Sequence, residues 1–154
     1  MKMNNESGRS MIEMMGVMAI AAIMTVAAIT MYNVVRTRQI RMVAVEDMKN
    51  IADRTKMLYL GRADYTGISK DYLLKAGALK TEKSPLSGTD FDVFAEPGAK
   101  EFALVFHDAD FKTCAWLATQ NFEWSSRIDI NGFTESPGTY CRETDKNEIS
   151  IFVK

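Results

Sequence analysis

Histidine, proline and cysteine are scarce in this 154-residue chain, which contains one, three and two of them respectively. The sequence has no Cys-x-x-Cys or Cys/His cluster for a metal, and no Gly-x-Ser-x-Gly, P-loop or dinucleotide-binding pattern. The first proline is Pro85, so nothing before it forces a helix to break. These absences predict that the chain is not an enzyme and needs no cofactor or metal.

The single histidine does not change this expectation. His107 is followed by Asp108 and Asp110, but Asp108-Ala109-Asp110 lacks the glycine and the terminal glutamate of a calcium-binding EF-hand loop. We expect these three residues to lie in a solvated loop.

Charge is absent from one long segment near the N-terminus. Met14–Val35 supplies 22 consecutive uncharged positions, and about 20 apolar residues cross the hydrocarbon core of a bilayer. A cleaved signal peptide ending near Ala27-Ala28 is the alternative. Its apolar core is shorter, whereas here the helical pattern continues beyond Arg36.

A lone carboxylate, Glu13, stands at the start of this segment. An acidic residue costs on the order of 2.5–3.5 kcal/mol at the centre of a membrane helix and less near its end, so a partner is expected. The α-amino group that cleavage after Gly8 would create at Arg9 is one. The alternative is an acid near a helix start, which the helix dipole favours by roughly 0.3–1 kcal/mol.

Gly8, Glu13 and the apolar stretch Met14–Met31 together resemble the N-terminal motif of the type IV pilin family. Precursors in that family are cut after a glycine and carry Glu at the fifth mature position. The resemblance implies cleavage between Gly8 and Arg9, N-methylation of Arg9, and a role for Glu13 in assembly. Arg9 stands where the family usually has Phe or Met.

The coarse pattern predicts an α+β fold in which a long N-terminal helix packs on a small antiparallel sheet with short helices. We expect the helix over Ser10–Leu60, stopped by Gly61, with one apolar stripe beyond the membrane segment. That stripe consists of Ile40, Ala44, Met48, Ile51, Thr55 and Leu58.

Shorter elements are expected after it. A helix capped by Ser69 runs through Ala76, with Gly77 past its end, and a second helix over Cys114–Gln120 is capped by Thr113. The expected strands are Phe91–Ala95, Glu101–His107, Arg127–Ile130 and Glu148–Val153.

The order of these elements is similar to that of type IVb pilins, including those of conjugative thin pili. The supporting segments are Asp64–Ser69, Leu74–Gly77, Ser84–Gly88, Thr113–Leu117, Ile130–Gly132 and Tyr140-Cys141. The predicted organisation is a leader over 1–8, a membrane or filament-core half of the helix over 9–35, its amphipathic half over 36–60, and a globular head over 61–154.

Both cysteines, Cys114 and Cys141, lie in the predicted head. We expect them to form a disulfide, which would stabilise the head by roughly 3–4 kcal/mol in the chain-entropy model. Two buried free thiols are the alternative.

The charges that flank the apolar segment do not fix its orientation. Lys2 and Arg9 precede it, and Arg36, Arg38 and Arg41 follow it, so the positive-inside rule favours a cytoplasmic C-terminal side. The resemblance implies the opposite, a single-pass precursor in the bacterial inner membrane with its C-terminus outside, and a disulfide agrees with that.

The function implied is that of a structural subunit of a helical surface filament. Its partners would be other copies of itself, the prepilin peptidase, the inner-membrane assembly machinery and, before assembly, the lipid bilayer. A minor pilin or a type II secretion pseudopilin is the alternative. A membrane-anchored periplasmic ligand-binding domain is the alternative of another class.

Overall fold

The computed structural model describes residues 6–135, 137–144 and 146–154, with side chains from Met11 onward within those ranges. The chain divides into two compact units, of which the first ends at Met42 and the second is Val43–Lys154. The boundaries expected at residues 8, 35 and 60 remain predictions.

A single helix, α1, forms Glu6–Leu58. It begins four residues before the expected Ser10, because the preceding polar residues contain no proline that would prevent the helix from extending. It ends two residues before Leu60. Gly61 then takes the left-handed conformation, with φ of +89°, which glycine adopts without steric cost. The expected stop at Gly61 is therefore confirmed.

The C-terminal part of α1 buries one stripe, as expected. Ala44, Met48 and Thr55 of the expected stripe are buried, and so is Ala52, which was not expected. Ile51 and Leu58 pack only partly against the core, and Ile40 is 47% exposed, so its assignment to the stripe was wrong.

The four strands form one antiparallel sheet. They are β1, Asp90–Phe94, β2, Phe102–Ala109, β3, Arg127–Ile130, and β4, Asn147–Val153. Their order in the sheet is β1-β2-β4-β3, and the first two strands pair with each other in antiparallel fashion. His107 lies within β2, in agreement with the expected strand Glu101–His107, but the strand continues to Ala109, so the loop expected at His107 and Asp108 was wrong.

The sheet buries one face in the core of the head. Ile149, Ile151 and Val153 are fully buried at alternate positions of β4, as their spacing predicted. They belong to the same core cluster as the α1 stripe and the β2 residues Phe102, Leu104 and Phe106. Alternation with a period of two places these side chains on one side of the sheet.

The first short helix, α2, is Lys70–Lys75 and begins and ends as its sequence predicts. The Ser69 hydroxyl accepts a hydrogen bond from the Tyr72 N–H, which satisfies a donor of the first turn. Beyond the helix, the N–H groups of Gly77 and Ala78 donate to the carbonyls of Leu74 and Leu73. This pair of bonds is the Schellman ending that a glycine permits.

The second short helix, α3, is Phe111–Ala118 and is capped by Asp110, not by Thr113. The Asp110 carboxylate accepts from the Thr113 N–H at 2.8 Å. Both residue types are good caps, and Asp110 is chosen because β2 ends at Ala109 and the helix follows at once. A short 3-10 helix forms Pro137–Tyr140.

The disulfide joins α3 to the segment after the 3-10 helix. Cys114 is fully buried, and its Cα atom lies 5.8 Å from that of Cys141, within the range that a disulfide requires. The predicted bridge between Cys114 and Cys141 is confirmed.

Replacement of Cys114 by Ala should lower the free energy of unfolding of the head by roughly 3–4 kcal/mol, because the unfolded chain loses its closed loop. Urea unfolding of the full chain in detergent, followed by the fluorescence of Trp116 and Trp124, measures this. A reductant should bring the wild type to the same level and leave the variant unchanged. A wild type that keeps its full stability under reductant would contradict the prediction.

Candidate functional site

The N-terminal part of α1 exposes apolar side chains on all sides. Every residue from Met11 to Ile40 is exposed, and the large apolar ones are 47–74% accessible. Monomeric soluble proteins rarely expose an apolar patch larger than a few hundred Å². This stretch therefore requires an apolar partner, either lipid or protein.

The three threonines of this stretch form local hydrogen bonds with their hydroxyl groups. Thr25, Thr30 and Thr37 donate to carbonyls of α1 three or four residues earlier, at 2.7–2.9 Å. Hydroxyls bonded in this way do not need water, which is what a helix in a bilayer or an apolar protein core requires. Among the described residues, one helix is long and apolar enough to cross a membrane, and it includes this stretch.

The residues of the motif lie at the start of this helix. Gly8 and Arg9 are in the first turns of α1, but the side chain of Arg9 and the leader residues 1–5 lie outside what the structure describes. Glu13 follows in the same helix and is exposed. Cleavage, methylation and the assembly role concern a peptidase or a second copy, so Gly8, Arg9 and Glu13 stay predictions.

A second feature of the head is a hydrogen-bond network around Asn131 and Asn147. Asn147 is fully buried. Its Oδ1 accepts from the N–H of Arg142 at 2.7 Å and from the side-chain amide of Asn131 at 3.1 Å. One polar side chain thereby connects the start of β4 to the segment that carries Cys141.

The amide nitrogen of Asn147 extends the same network. It lies 3.0 Å from the carbonyl oxygens of Ala109, Arg142 and Thr144. Buried polar groups of this kind are costly when unpaired and stabilising when fully hydrogen-bonded. Asn147 therefore holds the end of β2 and the Cys141 segment together.

Two exposed aromatic residues of this segment pack against each other. The rings of Phe133 and Tyr140 are stacked with centroids 4.0 Å apart. Asn131 and Gly132, both with positive φ, make the two-residue turn that returns Phe133 to Ile130. Asn-Gly is the pair that such a turn favours, so the sequence does contain a local signal for this part.

Sequence reasoning did not find Asn147. A buried asparagine at the start of a strand has no periodic signature. Its hydrogen bond to the carbonyl of Ala109, 38 positions earlier, cannot be inferred from neighbouring residues. Asn131-Gly132 was noted only as part of a resemblance, without the turn that it forms.

A cluster of aromatic residues connects the end of α1 to the rest of the head. The ring centroid of Tyr59 lies 5.2 Å from that of Tyr65 and 6.0 Å from that of Tyr72. The ring centroids of Tyr65 and Phe102 are 4.8 Å apart. Burial raises the pKa of the Tyr59 hydroxyl, with a smaller effect of Tyr72, and burial also raises the pKa of Tyr65. Both stay neutral and act as packing residues.

The head also carries a groove of about 260 Å³ between α1 and residues 78–85. It is lined by charges of both signs, including Asp47, Arg54, Lys80 and Lys83. Small-molecule sites are usually about 300–1,000 Å³ and mainly apolar. The groove therefore gives little support for a ligand-binding function.

The titratable residues singled out in the sequence are dispersed. His107 Nδ1 lies 3.3 Å from Glu148 Oε2 on the neighbouring strand, and Asp110 caps α3. Within the described ranges, no group of three or more His, Cys, Asp or Glu side chains is placed to hold a metal ion.

Replacement of Asn147 by Ala should destabilise the head by about 1–3 kcal/mol, because it leaves buried backbone groups without partners. Urea unfolding measures the loss, and amide hydrogen exchange should show a faster exchange of the Arg142 N–H. The exposed Asn121 provides the matched control, and its replacement by Ala should change stability little. Equal effects of the two replacements would contradict the anchoring role.

Comparison with known proteins supports the fold. No family model matches the chain, and no curated protein matches it by sequence. The crystal structure of TcpA, a type IV pilin from Vibrio cholerae El Tor biotype, matches with a TM-score of 0.59 and 12% sequence identity. The match covers 75% of this chain and 99% of the other. At this identity the likeness concerns the fold: a long N-terminal helix packed on a four-stranded antiparallel sheet with short helices is the pilin fold.

Proposed function

We propose that this chain is a type IV pilin that assembles into a helical surface filament after removal of a leader. The observation that carries the proposal is the exposed, apolar part of α1 in a chain whose head has the pilin fold. Such a helix needs an apolar environment, and the filament core and the bilayer are two environments that meet this need in turn.

The proposed sequence of events begins in the inner membrane, where α1 anchors the precursor with its C-terminal head outside. A prepilin peptidase removes residues 1–8 and leaves Arg9 as the first residue, which is then methylated. Assembly exchanges burial of α1 in lipid for burial among the helices of neighbouring subunits. Head-to-tail contacts that do not close on themselves generate a filament.

Glu13 sets the axial position of each subunit in this proposal. Its carboxylate would pair with the α-amino group of a neighbouring Arg9. A charge left unpaired in an apolar core costs several kcal/mol, so packings in which the two charges do not meet are disfavoured. The apolar contacts then supply affinity and the charge pair supplies the register.

A minor pilin or pseudopilin would use the same anchor and fold. The number of copies in purified filaments distinguishes it from the main subunit. A membrane-anchored ligand-binding domain would keep its leader and never polymerise, and the small, charged groove of the head does not favour it.

Mass spectrometry of protein recovered from sheared filaments tests the cleavage. The expected N-terminal peptide begins at Arg9 and carries one added methyl group. A peptide that begins at Met1, or one that begins near Ala28, would exclude processing at Gly8. Replacement of Gly8 by Ala should leave the leader attached, with the head folded.

Variants of Glu13 test the assembly role. Glu13→Ala should lower the filament yield by about tenfold or more, since roughly 1.4 kcal/mol corresponds to a factor of ten and an unpaired buried charge costs more. Glu13→Gln keeps the shape without the charge and should fall between Ala and wild type. The measurement is the sheared-filament yield divided by the membrane pool of the same variant.

The control for these variants is Glu46→Ala, which removes an exposed acid from the second half of α1. It should leave the yield close to that of the wild type. If both Glu13 variants assemble as well as wild type, Glu13 is only an acid near a helix start.

A further inference from the structure

The sheet has two edge strands, β1 and β3. Helix α2 contacts β1, but within the described residues no backbone group outside the sheet is hydrogen-bonded to β1. On the β3 side, the 3-10 helix lies against the strand, and the N–H of Ile130 donates to the Phe133 carbonyl at 2.9 Å. An uncovered edge presents N–H and C=O groups with which another chain can pair. The edge of β1 that faces away from β2 is therefore open to such pairing unless other groups occupy its donors.

The residues of β1 alternate between the core and solvent. Phe91 and Val93 are buried, whereas Asp90, Asp92 and Phe94 are exposed. The strand pairs with β2 from Asp90 opposite His107 to Phe94 opposite Ala103. Both acids therefore stand on the solvent face of an edge strand, next to a large apolar side chain that is 54% exposed.

Each of the two acids accepts a hydrogen bond from the backbone of the next residue. The N–H of Phe91 donates to Asp90 Oδ1 at 2.8 Å, and that of Val93 donates to Asp92 Oδ1 at 2.7 Å. Successive N–H groups of a strand point to opposite edges, so those of Phe91 and Val93 share one edge. Because they donate to side chains of their own strand, this edge is the one that faces away from β2.

The charge state of Asp90 fits this arrangement. The hydrogen bond from the Phe91 N–H is the main cause that lowers the pKa of Asp90, and Lys70, whose Nζ lies 3.5 Å from Oδ1, adds to it. A carboxylate accepts a shorter and stronger hydrogen bond from a backbone N–H than a neutral group does.

We propose that Asp90 and Asp92 close the free edge of β1 to strand addition by a second copy of this chain. Each carboxylate occupies a donor that the carbonyl group of an incoming strand would need. The proposal does not depend on the filament function, since the edge belongs to the head in any role of the chain.

The test uses the full chain in detergent, with amide hydrogen exchange read residue by residue. Asp90→Ala should speed the exchange of the Phe91 N–H roughly fivefold, as expected for the loss of one hydrogen bond of about 1 kcal/mol, and leave Val93 unchanged. Asp92→Ala should do the reverse. Each variant is thus the control for the other, and unchanged exchange in both would overturn the capping role.

Self-association of the double variant tests the consequence. Asp90→Ala with Asp92→Ala should form dimers in sedimentation experiments, and a photo-crosslinking analogue in place of Phe94 should join two copies through β1. Removal of two exposed acids elsewhere, Glu82→Ala with Glu96→Ala, should give no dimer. A double variant that exchanges faster but stays monomeric would overturn the proposal.

The Asn variants separate capping from charge. Asp90→Asn with Asp92→Asn keeps an acceptor oxygen next to each N–H but removes both charges. It should stay monomeric and retain most of the slow exchange. Dimers as abundant as those of the Ala pair would show that repulsion between charges guards the edge, which would also overturn the capping role.

Discussion

Burial of the α1 stripe is the constraint on which the rest of the structure depends. Met48 and Ala52 are completely inaccessible, and they belong to the same core as Leu104 and Ile151. Complete burial of a side chain the size of Met contributes roughly 1.5–3 kcal/mol. The head therefore has no complete core without the C-terminal part of α1. The N-terminal part of the same helix exposes apolar side chains and must be covered by an apolar partner.

Some parts of this fold could be predicted from the sequence and others could not. The long helix follows from the absence of proline and from an uninterrupted helical period, and the alternation at Ile149, Ile151 and Val153 identifies β4. Ala44, Met48 and Thr55 of the predicted stripe are buried. Ile40 was included wrongly because it is apolar, and Ala52 was left out. The cap of α3 was misplaced because Asp110 and Thr113 are both good caps, and only the end of β2 decides between them.

The candidate functional residues divide in the same way. Gly8, Arg9 and Glu13 are proposed from a resemblance in their spacing, and the chemistry proposed for them involves a second molecule. The disulfide followed from two cysteines in a domain expected outside the cytoplasm. Asn147 could not be found, since its partners are backbone groups from Ala109 to Thr144 that only the folded chain brings together. Asp90 and Asp92 read as ordinary exposed acids until their hydrogen bonds are known.

The irregular pairing of β2 with β4 has a consequence for how this head can vary in sequence. Phe106 is paired with Ile149 and Ala109 with Asn147, so His107 and Asp108 together stand opposite Glu148 as a bulge. Phe106 and Ala109 are both buried although three positions separate them, because the extra residue shifts the inside-outside phase of the strand by one. Loss of a single residue here would turn Ala109 outward and move its carbonyl away from Asn147. The length of this segment is therefore fixed by the packing of Ala109, and the residue type at Asp108 is restricted as well, since its φ of +57° is one that Asp, Asn and Gly adopt more readily than other residues.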